Sequence, residues 1–250
     1  MHTQNNQQKV ILITGAAKRI GASLAKDLHS NNYKIIIHYN QSESSARSLM
    51  ESLNNRRADT ATMIQADLRN LDQTLSLAEQ AIAYWGRLDG LINNASTYYS
   101  TPIGECTPEQ WQDLFSSNLK APFFLAQACV EALKKTRGHI INIADIHGQR
   151  PLAKHSMYCM AKAGNIMMTK TLAKELAPEI KVNGIAPGAI LWPENDGENS
   201  VDNTEILNQI PLKELGNTQS ITSSIRFLLM ESSYITGQII NVDGGRSLSQ

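Results

Sequence analysis

The sequence predicts a doubly wound α/β fold built on one parallel sheet of seven strands. Seven short runs rich in β-branched residues recur along the 250 residues, and stretches with helical apolar spacing separate them. The runs are continuously apolar more than alternating, which is typical of strands covered on both faces. Because strand and helix alternate throughout and no Pro- or Ser-rich linker intervenes, we expect a single Rossmann-type domain over residues 1–250 with helices on both faces of the sheet.

Each predicted strand is a short apolar run bounded by polar or turn-forming residues. In chain order the predicted strands are residues 9–14, 34–39, 60–66, 88–93, 139–144, 181–186 and 238–242. The stretches between them repeat apolar residues every three or four positions, as amphipathic helices do. In chain order the predicted helices are residues 20–30, 42–53, 71–85, 107–135, 156–177 and 220–230.

The polar stretch 191–204 interrupts this regularity directly after the sixth strand. A loop at the carboxyl end of a strand is where α/β enzymes place substrate lids. We therefore expect a substrate loop around residues 189–215, with a solvated surface insertion as the alternative. Four carboxylates lie in it: Glu194, Asp196, Glu198 and Asp202.

Composition excludes several classes of protein. The 23 Lys and Arg residues balance the 23 Asp and Glu residues, so the net charge of zero argues against nucleic-acid binding through phosphate neutralisation. The three cysteines (Cys106, Cys129, Cys159) form no CxxC pair, which argues against a disulfide framework or a metal site. The polar start lacks the features of a signal peptide, and the apolar run that follows is too short for a membrane span of about 20 residues. We expect a cytoplasmic protein that binds no membrane.

The first predicted strand leads into a helix through a turn that contains Gly15 and Gly21. Glycines at this place let backbone N–H groups approach a pyrophosphate at a helix N-terminus, where the helix dipole favours anions. Lys18 and Arg19 add cations beside the turn, and Ile20 begins the helix. A tight turn without a ligand is the alternative, but the position after the first strand of a βαβ array favours a dinucleotide site.

The end of the second strand predicts which dinucleotide is bound. An Asp or Glu there would bind the ribose hydroxyls of NAD, and no acidic residue occurs before Glu43. After Tyr39, the polar side chains of Asn40 and Ser42 can hydrogen-bond a 2′-phosphate instead, with Lys18 as the nearby cation. The sequence therefore favours NADPH.

Two further residues near this site have alternative interpretations. Asp67, followed by Leu68, ends the third strand and is predicted to hydrogen-bond the adenine amino group, with a turn cap as the alternative. His38 is interpreted as a structural histidine at a strand end.

Tyr158 and Lys162 lie four residues apart in a predicted helix and therefore share one face. A nearby ammonium group favours the phenolate form of tyrosine and lowers its pKa, so the pair predicts a proton donor or acceptor that works near neutral pH. A surface pair is the default interpretation of such spacing in an arbitrary protein, and the surrounding motifs decide between the two.

Taken in order, the motifs resemble those of the short-chain dehydrogenase/reductase family over the whole chain. They are the turn from Gly15 to Gly21, Asn93-Asn94-Ala95, Asn118, Tyr158 with Lys162, Pro187-Gly188 and Val242-Asp243-Gly244-Gly245. The resemblance implies that Asn94 and Ala95 line the adenosine side of an NADP site and that Lys162 binds the nicotinamide ribose. It also implies that Asn118 holds a water of the proton relay and that the protein is a homotetramer.

Two departures from the general family pattern narrow the resemblance to the pteridine reductases. Arg19 stands where the family has the middle glycine of the turn, and Asp145 stands where it has a catalytic serine. The likeness continues in the segments 93–98, 149–152 and 158–162. It implies NADPH-dependent reduction of a dihydropterin or dihydrofolate to the tetrahydro form, with oxidised pterins as further substrates.

Under this interpretation each site residue has an expected role. Arg19 would contact both phosphate and heterocycle, Tyr98 would stack on the flat pterin ring, and Ser96 would hydrogen-bond the ring edge. Asp145 and Tyr158 would together protonate a ring nitrogen, since two acids in contact cannot both ionise cheaply and one keeps its proton. A turn cap is the alternative role for Asp145.

Two other functions stay open. A carbonyl reductase of the same fold would act on 3-oxoacyl thioesters, but Asp145 in place of serine argues against it. A noncatalytic NADP-binding sensor would not need Asn118, Tyr158 and Lys162.

The homo-oligomer has its own support in the sequence. The predicted helices 107–135 and 156–177 carry more apolar residues than one sheet face can cover, which predicts an interface between subunits. The residues considered are Phe123, Phe124, Leu125, Met167 and Met168.

Overall fold

The computed structural model describes residues 8–190 and 204–249. Within these ranges the strands form one seven-stranded sheet, in the order β3-β2-β1-β4-β5-β6-β7, and every neighbouring pair is parallel. The predicted α/β fold of Rossmann type is confirmed. The strands are β1 (Val10–Ile13), β2 (Lys34–Tyr39), β3 (Ala61–Gln65), β4 (Gly90–Asn93), β5 (His139–Ile143), β6 (Lys181–Pro187) and β7 (Ile239–Val242).

Helices connect the strands and cover both faces of the sheet. In chain order they are α1 (Arg19–Ser30), α2 (Glu43–Arg56), α3 (Leu71–Trp85), α4 (Pro108–Phe115), α5 (Ala121–Thr136), α6 (Ser156–Leu176), α7 (Thr204–Gln209) and α8 (Thr218–Met230). The short helix α7 was not predicted and lies within the expected substrate loop 189–215. The four carboxylates at 194, 196, 198 and 202 lie outside the described residues. No described helix is long and apolar enough to cross a membrane.

The prediction of one continuous helix over residues 107–135 is wrong, because the helix is interrupted in its middle. Five residues, Ser116–Lys120, form a π turn between α4 and α5, in which the N–H of Ala121 bonds to the carbonyl of Ser116. Pro122 lies four residues after Asn118 and has no N–H, so the carbonyl of Asn118 lacks its usual α-helical donor. The helix widens at this point, and such π turns often occur at functional sites.

Two buried apolar layers lie on opposite faces of the sheet and explain the continuous apolar runs of the sequence. Successive side chains of a strand point to opposite faces, so that Leu12 packs in one layer and Ile13 in the other. Helices α3, α5 and α6 cover the first layer, and α1, α2 and α8 cover the second. Both faces of each central strand are therefore apolar.

The apolar residues considered for a subunit interface divide into two groups. Leu125 and Met168 are 0% and 6% exposed and belong to the core, so the prediction that they face outward is wrong. Phe123 and Met167 are 38% and 58% exposed, and Phe124 is partly buried. Exposed apolar side chains therefore occur on both α5 and α6.

Strand order places the functional loops at one edge of the sheet. After β3 the chain returns to the other side of β1 and forms β4 beside it, which creates a crevice between the carboxyl ends of β1 and β4. Because all seven strands are parallel, the loops that follow β1, β4, β5 and β6 lie at the same edge. These loops carry Gly15, Asn94, Asp145 and Gly188.

Candidate active site

Thr14 joins the carboxyl ends of β1 and β4. Its hydroxyl oxygen accepts the backbone N–H groups of Asn94 (2.9 Å) and Ala95 (3.0 Å), and the Asn94 amide donates to the Thr14 carbonyl at 2.8 Å. Gly15 has φ +60°, and a Cβ there would lie 3.0 Å from the Ala95 Cα. A Cβ at Gly21 would lie 2.4 Å from the Gly15 carbonyl oxygen. The turn predicted to bind pyrophosphate therefore requires glycine at both positions.

Arg19 begins α1 with φ +52°, in the left-handed region that favours glycine. Arg19 thus adopts the backbone conformation that a glycine would have in this turn, and this left-handed conformation costs about 1–3 kcal/mol for a residue with a side chain. Lys18, beside it, is the N-cap residue of α1, and its side chain is exposed. Ile20 and Gly21 are buried beneath the turn and support it from behind.

His38 holds the turn from the neighbouring strand. Its Nδ1 accepts the N–H of Gly15 at 3.0 Å, and its Nε2 lies 3.0 Å from the carbonyl oxygen of Ala66. This pair of bonds requires a neutral ring with the proton on Nε2. Burial lowers the pKa of His38 to about 4, against the opposing effect of the Ala66 carbonyl and Asp67. The interpretation of His38 as a structural residue is confirmed.

A cleft of about 430 Å³ opens beside this turn. It contains the predicted cofactor residues Gly15, Lys18, Tyr39, Asn40, Ser42, Asp67, Leu68, Ala95 and Ser96. The cleft also contains Arg69 and Asp113, which the sequence analysis did not identify. Pro187 and Gly188 lie at the end of β6, outside the cleft lining, and a Cβ at Gly188 would lie 2.6 Å from the Cβ of Asp243.

Asp67 is occupied by a protein partner in this cleft. Its carboxylate accepts the Arg69 backbone N–H at 3.0 Å and three guanidinium hydrogen bonds of 2.7, 2.9 and 3.1 Å from the same residue. The side-chain hydrogen bond from Arg69 lowers the pKa of Asp67. The turn-cap alternative is therefore present in the structure. Arg69 also lies 3.7 Å from Asp113, and its position two residues after Asp67 was the only sequence signal for it.

Tyr158 and Asp145 are in direct contact at the carboxyl end of β5. The phenol donates to Asp145 Oδ2 at 2.7 Å, while Asp145 Oδ1 accepts the backbone N–H of His147 at 2.8 Å. The second bond caps the short 3₁₀ helix Ile146–Gly148. Both roles weighed for Asp145, partner of the tyrosine and turn cap, are thus present, one on each carboxylate oxygen.

The expected lowering of the Tyr158 pKa is wrong. Tyr158 is 4% exposed, and burial followed by the charge of Asp145 raises its pKa. Lys162 Nζ lies 5.7 Å from the tyrosine ring centroid and donates instead to the Ile143 carbonyl at 2.9 Å. Burial lowers the pKa of Lys162 to about 8, with Asp145 opposing the shift. The phenol therefore stays protonated at neutral pH, because burial and a neighbouring carboxylate both disfavour its ionised form.

Asn118 lies in the π turn and links it to the loop after β4. Its Oδ1 accepts the Ser96 hydroxyl at 2.7 Å, and its Nδ2 donates to the carbonyls of Thr97 and Leu114, both at 2.9 Å. Both the oxygen and the nitrogen of the Asn118 side chain therefore bond to protein groups, and its expected contact with a water of the proton relay stays a prediction. Ser96, expected to contact a substrate ring, is held beside the cleft by this bond.

Tyr98 lies above Tyr158 with just over half of its surface exposed. Its ring contacts the Tyr158 ring edge-on, at 4.9 Å between centroids, and stacks on His155 at 4.8 Å with an angle of 10°. Tyr98 thus lies next to Tyr158, and its stacking on a pterin ring stays a prediction. The stacking of His155 on Tyr98 was not predicted from the sequence.

A family model described as enoyl-(acyl carrier protein) reductase matches residues 15–247. The chain belongs to the short-chain dehydrogenase/reductase family. It is therefore an oxidoreductase of a family whose reductases bind NAD(P)H. Among the described residues, no group of three or more His, Cys, Asp and Glu residues could hold a metal ion.

The relatives of this short-chain reductase include two kinds of enzyme. Pteridine reductase 1 from Leishmania tarentolae is 34% identical over 96% of this chain and 97% of its own length. A 3-oxoacyl-[acyl-carrier-protein] reductase, FabG, from Staphylococcus aureus is 32% identical over 95% of this chain and 97% of its own length. The 3-oxoacyl-[acyl-carrier-protein] reductase from Synechocystis is 34% identical over 95% of this chain and 96% of its own length. Identity by itself does not separate the two activities.

Removal of the His38 ring tests its role in the turn. In the variant His38→Leu, the Gly15 N–H loses its acceptor, which costs about 1–3 kcal/mol if the group stays buried. We expect the dissociation constant for NADPH, measured by fluorescence titration, to rise about tenfold or more. His139→Leu is the matched control, because His139 also has a pKa lowered to about 4 by burial but lies at the opposite edge of the sheet.

Both histidines also predict a pH dependence of stability. Between pH 6.5 and about 4 the unfolded state binds a proton at each ring while the folded state does not, so the unfolding free energy falls as the pH falls through this window. We expect chemical denaturation at several pH values to show that the unfolding free energy falls less steeply with decreasing pH in either variant than in the wild type.

For the cofactor prediction, an NADPH affinity that falls equally in His38→Leu and His139→Leu would contradict the specific role of His38.

Proposed function

We propose that this short-chain reductase is an NADPH-dependent pteridine reductase that converts a dihydropterin or dihydrofolate to the tetrahydro form. The observation that carries the proposal is the hydrogen bond between Tyr158 and Asp145. A family member with serine at position 145 has a neutral hydroxyl there. A carboxylate instead accepts a hydrogen bond from the Tyr158 phenol and raises its pKa, so the tyrosine keeps the proton that a ring nitrogen would need.

Cofactor binding is supported by the cleft beside Gly15. Gly15 and Gly21 allow the tight turn that brings the N-terminus of α1 to the cleft, where helix N–H groups favour a phosphate, so the residues present fit a dinucleotide. Asn40, Ser42 and Lys18 would bind a 2′-phosphate, and Ala95 would line the adenosine side of the cleft. Asn94 is outside the cleft lining and would support that side through its bonds to the Thr14 and Gly15 carbonyls. Lys162 would bind the nicotinamide ribose through one of the N–H groups that the Ile143 carbonyl does not take. When bound, NADPH supplies the hydride for the carbon of the pterin C=N bond.

The chain's own residues would orient the pterin and move the proton. Tyr98 offers an exposed aromatic face for stacking, and His155 supports that ring from behind. Tyr158 would give its phenolic proton to the ring nitrogen, and the neighbouring Asp145 would share the replacement proton. Arg19, at the turn, would contact both phosphate and pterin.

Reduction of 3-oxoacyl thioesters is the second candidate, favoured by relatives of nearly equal identity. The two candidates differ in the substrate that accelerates NADPH oxidation. We expect dihydrobiopterin or dihydrofolate to be reduced faster than a 3-oxoacyl thioester when all three are assayed side by side. A preference for the thioester would overturn the pterin proposal.

The cleft also predicts cofactor preference. We expect NADPH to bind at least about tenfold more tightly than NADH, because a charge-assisted hydrogen bond contributes about 1.5–3 kcal/mol. We expect Lys18→Gln to reduce the difference between the NADPH and NADH affinities, because it should weaken the binding of NADPH and leave that of NADH unchanged. Lys26→Gln is the control, since Lys26 is an exposed lysine of the same helix outside the cleft. Equal affinity of the wild type for both dinucleotides would contradict the prediction.

Two substitutions at Asp145 separate its two roles. Asn and Ser are both good helix caps, so Asp145→Asn and Asp145→Ser should keep the bond to His147 and the folded state. Both remove the carboxylate that would share the replacement proton with Tyr158, and we expect kcat for pterins to fall about 100-fold or more. NADPH affinity should change little. If both variants keep the wild-type turnover and an unchanged pH profile, the role of Asp145 is only to cap the 3₁₀ helix.

We also propose that the protein is a homo-oligomer, most simply the tetramer that the family resemblance implies. Phe123 and Met167 expose apolar surface on α5 and α6, where it would be buried between subunits. Light scattering at micromolar concentration should give a mass of about four chains. Phe123→Glu should shift that mass downward, and a monomeric wild type would contradict the proposal.

A further inference from the structure

A buried asparagine that the proposed reaction does not use lies next to its proton-handling groups. Asn165 is on α6, one turn after Lys162 and two turns after Tyr158, and is therefore on the same face of the helix as both. It is 1% exposed. A buried amide costs free energy unless its donors and its acceptor are satisfied, so its partners reveal what it does.

The nitrogen of this amide bonds to the π turn. Asn165 Nδ2 donates to the backbone carbonyl of Asn118 at 3.0 Å. That carbonyl has no α-helical donor, because the residue four positions later is Pro122. Asn165 thus gives the Asn118 carbonyl a donor from α6, and the bond fixes the distance between the π turn and the helix that carries Lys162.

The oxygen of the same amide has no hydrogen-bond partner among the described residues. Asn165 Oδ1 is buried and lacks a hydrogen bond within the described part of the chain. Because the donor to the Asn118 carbonyl must be Nδ2, the amide cannot be flipped to satisfy its oxygen. Lys162 has a complementary surplus: its ammonium group carries three N–H donors, and the bond to Ile143 occupies one. Buried waters commonly bridge such groups.

We propose that Asn165 is a positioning residue for proton transfer at Tyr158. Its nitrogen fixes the π turn of Asn118 against α6, and its oxygen accepts a hydrogen bond from a buried water that links it to Lys162. The residue acts through Lys162 and Asn118 and does not touch substrate. This inference rests on the proposed reduction, in which Tyr158 is reprotonated after each turnover.

The groups around Lys162 determine the direction in which its pKa should change when Asn165 is substituted. Asp145 faces Lys162 from the end of β5, and Tyr158 lies on α6 itself. Of the titratable groups on the other elements packed against α6, His147 bonds to the Arg150 carbonyl and Asp113 lies 3.7 Å from Arg69. Lys181 donates to the Ser232 carbonyl, and Glu109 and Lys120 are exposed. An acceptor near the Lys162 ammonium stabilises its charged form, and a carboxylate at the same place stabilises it more.

Two variants should therefore move the Lys162 titration in opposite directions. Asn165→Leu removes the acceptor and should lower the pKa of Lys162. Asn165→Asp is isosteric and places a carboxylate one turn away, which should raise the pKa. The titration is followed in the apo protein by NMR of lysine labelled with ¹³C at Cε. This readout does not require a substrate, so it remains informative if the pterin proposal fails.

Turnover provides the second readout. We expect kcat to fall about tenfold to a hundredfold in both variants, since small misplacements at a reacting site have effects of this size. The alkaline limb of the kcat profile should move to lower pH for Asn165→Leu and to higher pH for Asn165→Asp. KM and the dissociation constant for NADPH should stay near wild-type values.

Asn183→Leu is the matched control, because Asn183 is also 1% exposed and its amide also bonds to backbone groups, at Ile235 and Gln238. It should lower stability without moving either titration. The inference is overturned if the Lys162 titration stays at its wild-type position in both Asn165 variants, or if it moves equally in Asn183→Leu. Should Asn165→Leu fail to fold, the upward shift expected for Asn165→Asp decides the question. Absence of turnover with every pterin, together with opposite shifts of Lys162, would refute the substrate proposal and support this one.

Discussion

The junction between β1 and β4 is the interaction on which the site depends. A single hydroxyl, that of Thr14, accepts two backbone N–H groups from the loop after β4 and thereby sets the width of the crevice at the carboxyl edge. The glycine turn after β1 lies directly against this junction, and a side chain at Gly15 or Gly21 would strike its atoms. His38 closes the arrangement from β2. The cleft therefore depends on the carboxyl ends of β1, β2 and β4, which lie at the same edge of the sheet.

Asp145 shows how one carboxylate serves structure and chemistry together. Its first oxygen satisfies a backbone N–H at the start of a 3₁₀ helix, and its second receives the phenol of Tyr158. Because the first bond fixes the side chain, the second oxygen is held in place without further support. The electrostatic consequence is opposite to that of a serine at the same position, since the negative charge opposes ionisation of the tyrosine. A common tyrosine–lysine pair thus acquires a different proton affinity through one neighbour.

Buried amides continue this polar arrangement into the core. Asn93 on β4 donates to Asn142 on β5 at 2.8 Å, and Asn142 donates to Thr169 on α6 at 2.9 Å. Asn165 then connects α6 to the π turn. Such groups stabilise a fold less than apolar packing would, but each satisfied bond specifies one alignment of strand and helix. The sheet, α6 and the π turn are thereby aligned relative to one another.

Much of this protein follows from its sequence alone. The seven strands, their parallel arrangement, the turn at Gly15 and the proximity of Tyr158 to Lys162 all depend on local patterns, which act over a few residues and fix local backbone structure. The thirteen-residue separation of Asp145 and Tyr158 likewise indicated their contact through the family resemblance. What the sequence did not determine depends on burial and on contacts between distant residues. The sign of the Tyr158 pKa shift, the pairing of Asp67 with Arg69 and the stacking of His155 on Tyr98 belong to this group. Only tertiary structure decides how far a charge is removed from water and which neighbour it faces, and these two quantities set the proton affinities at the site.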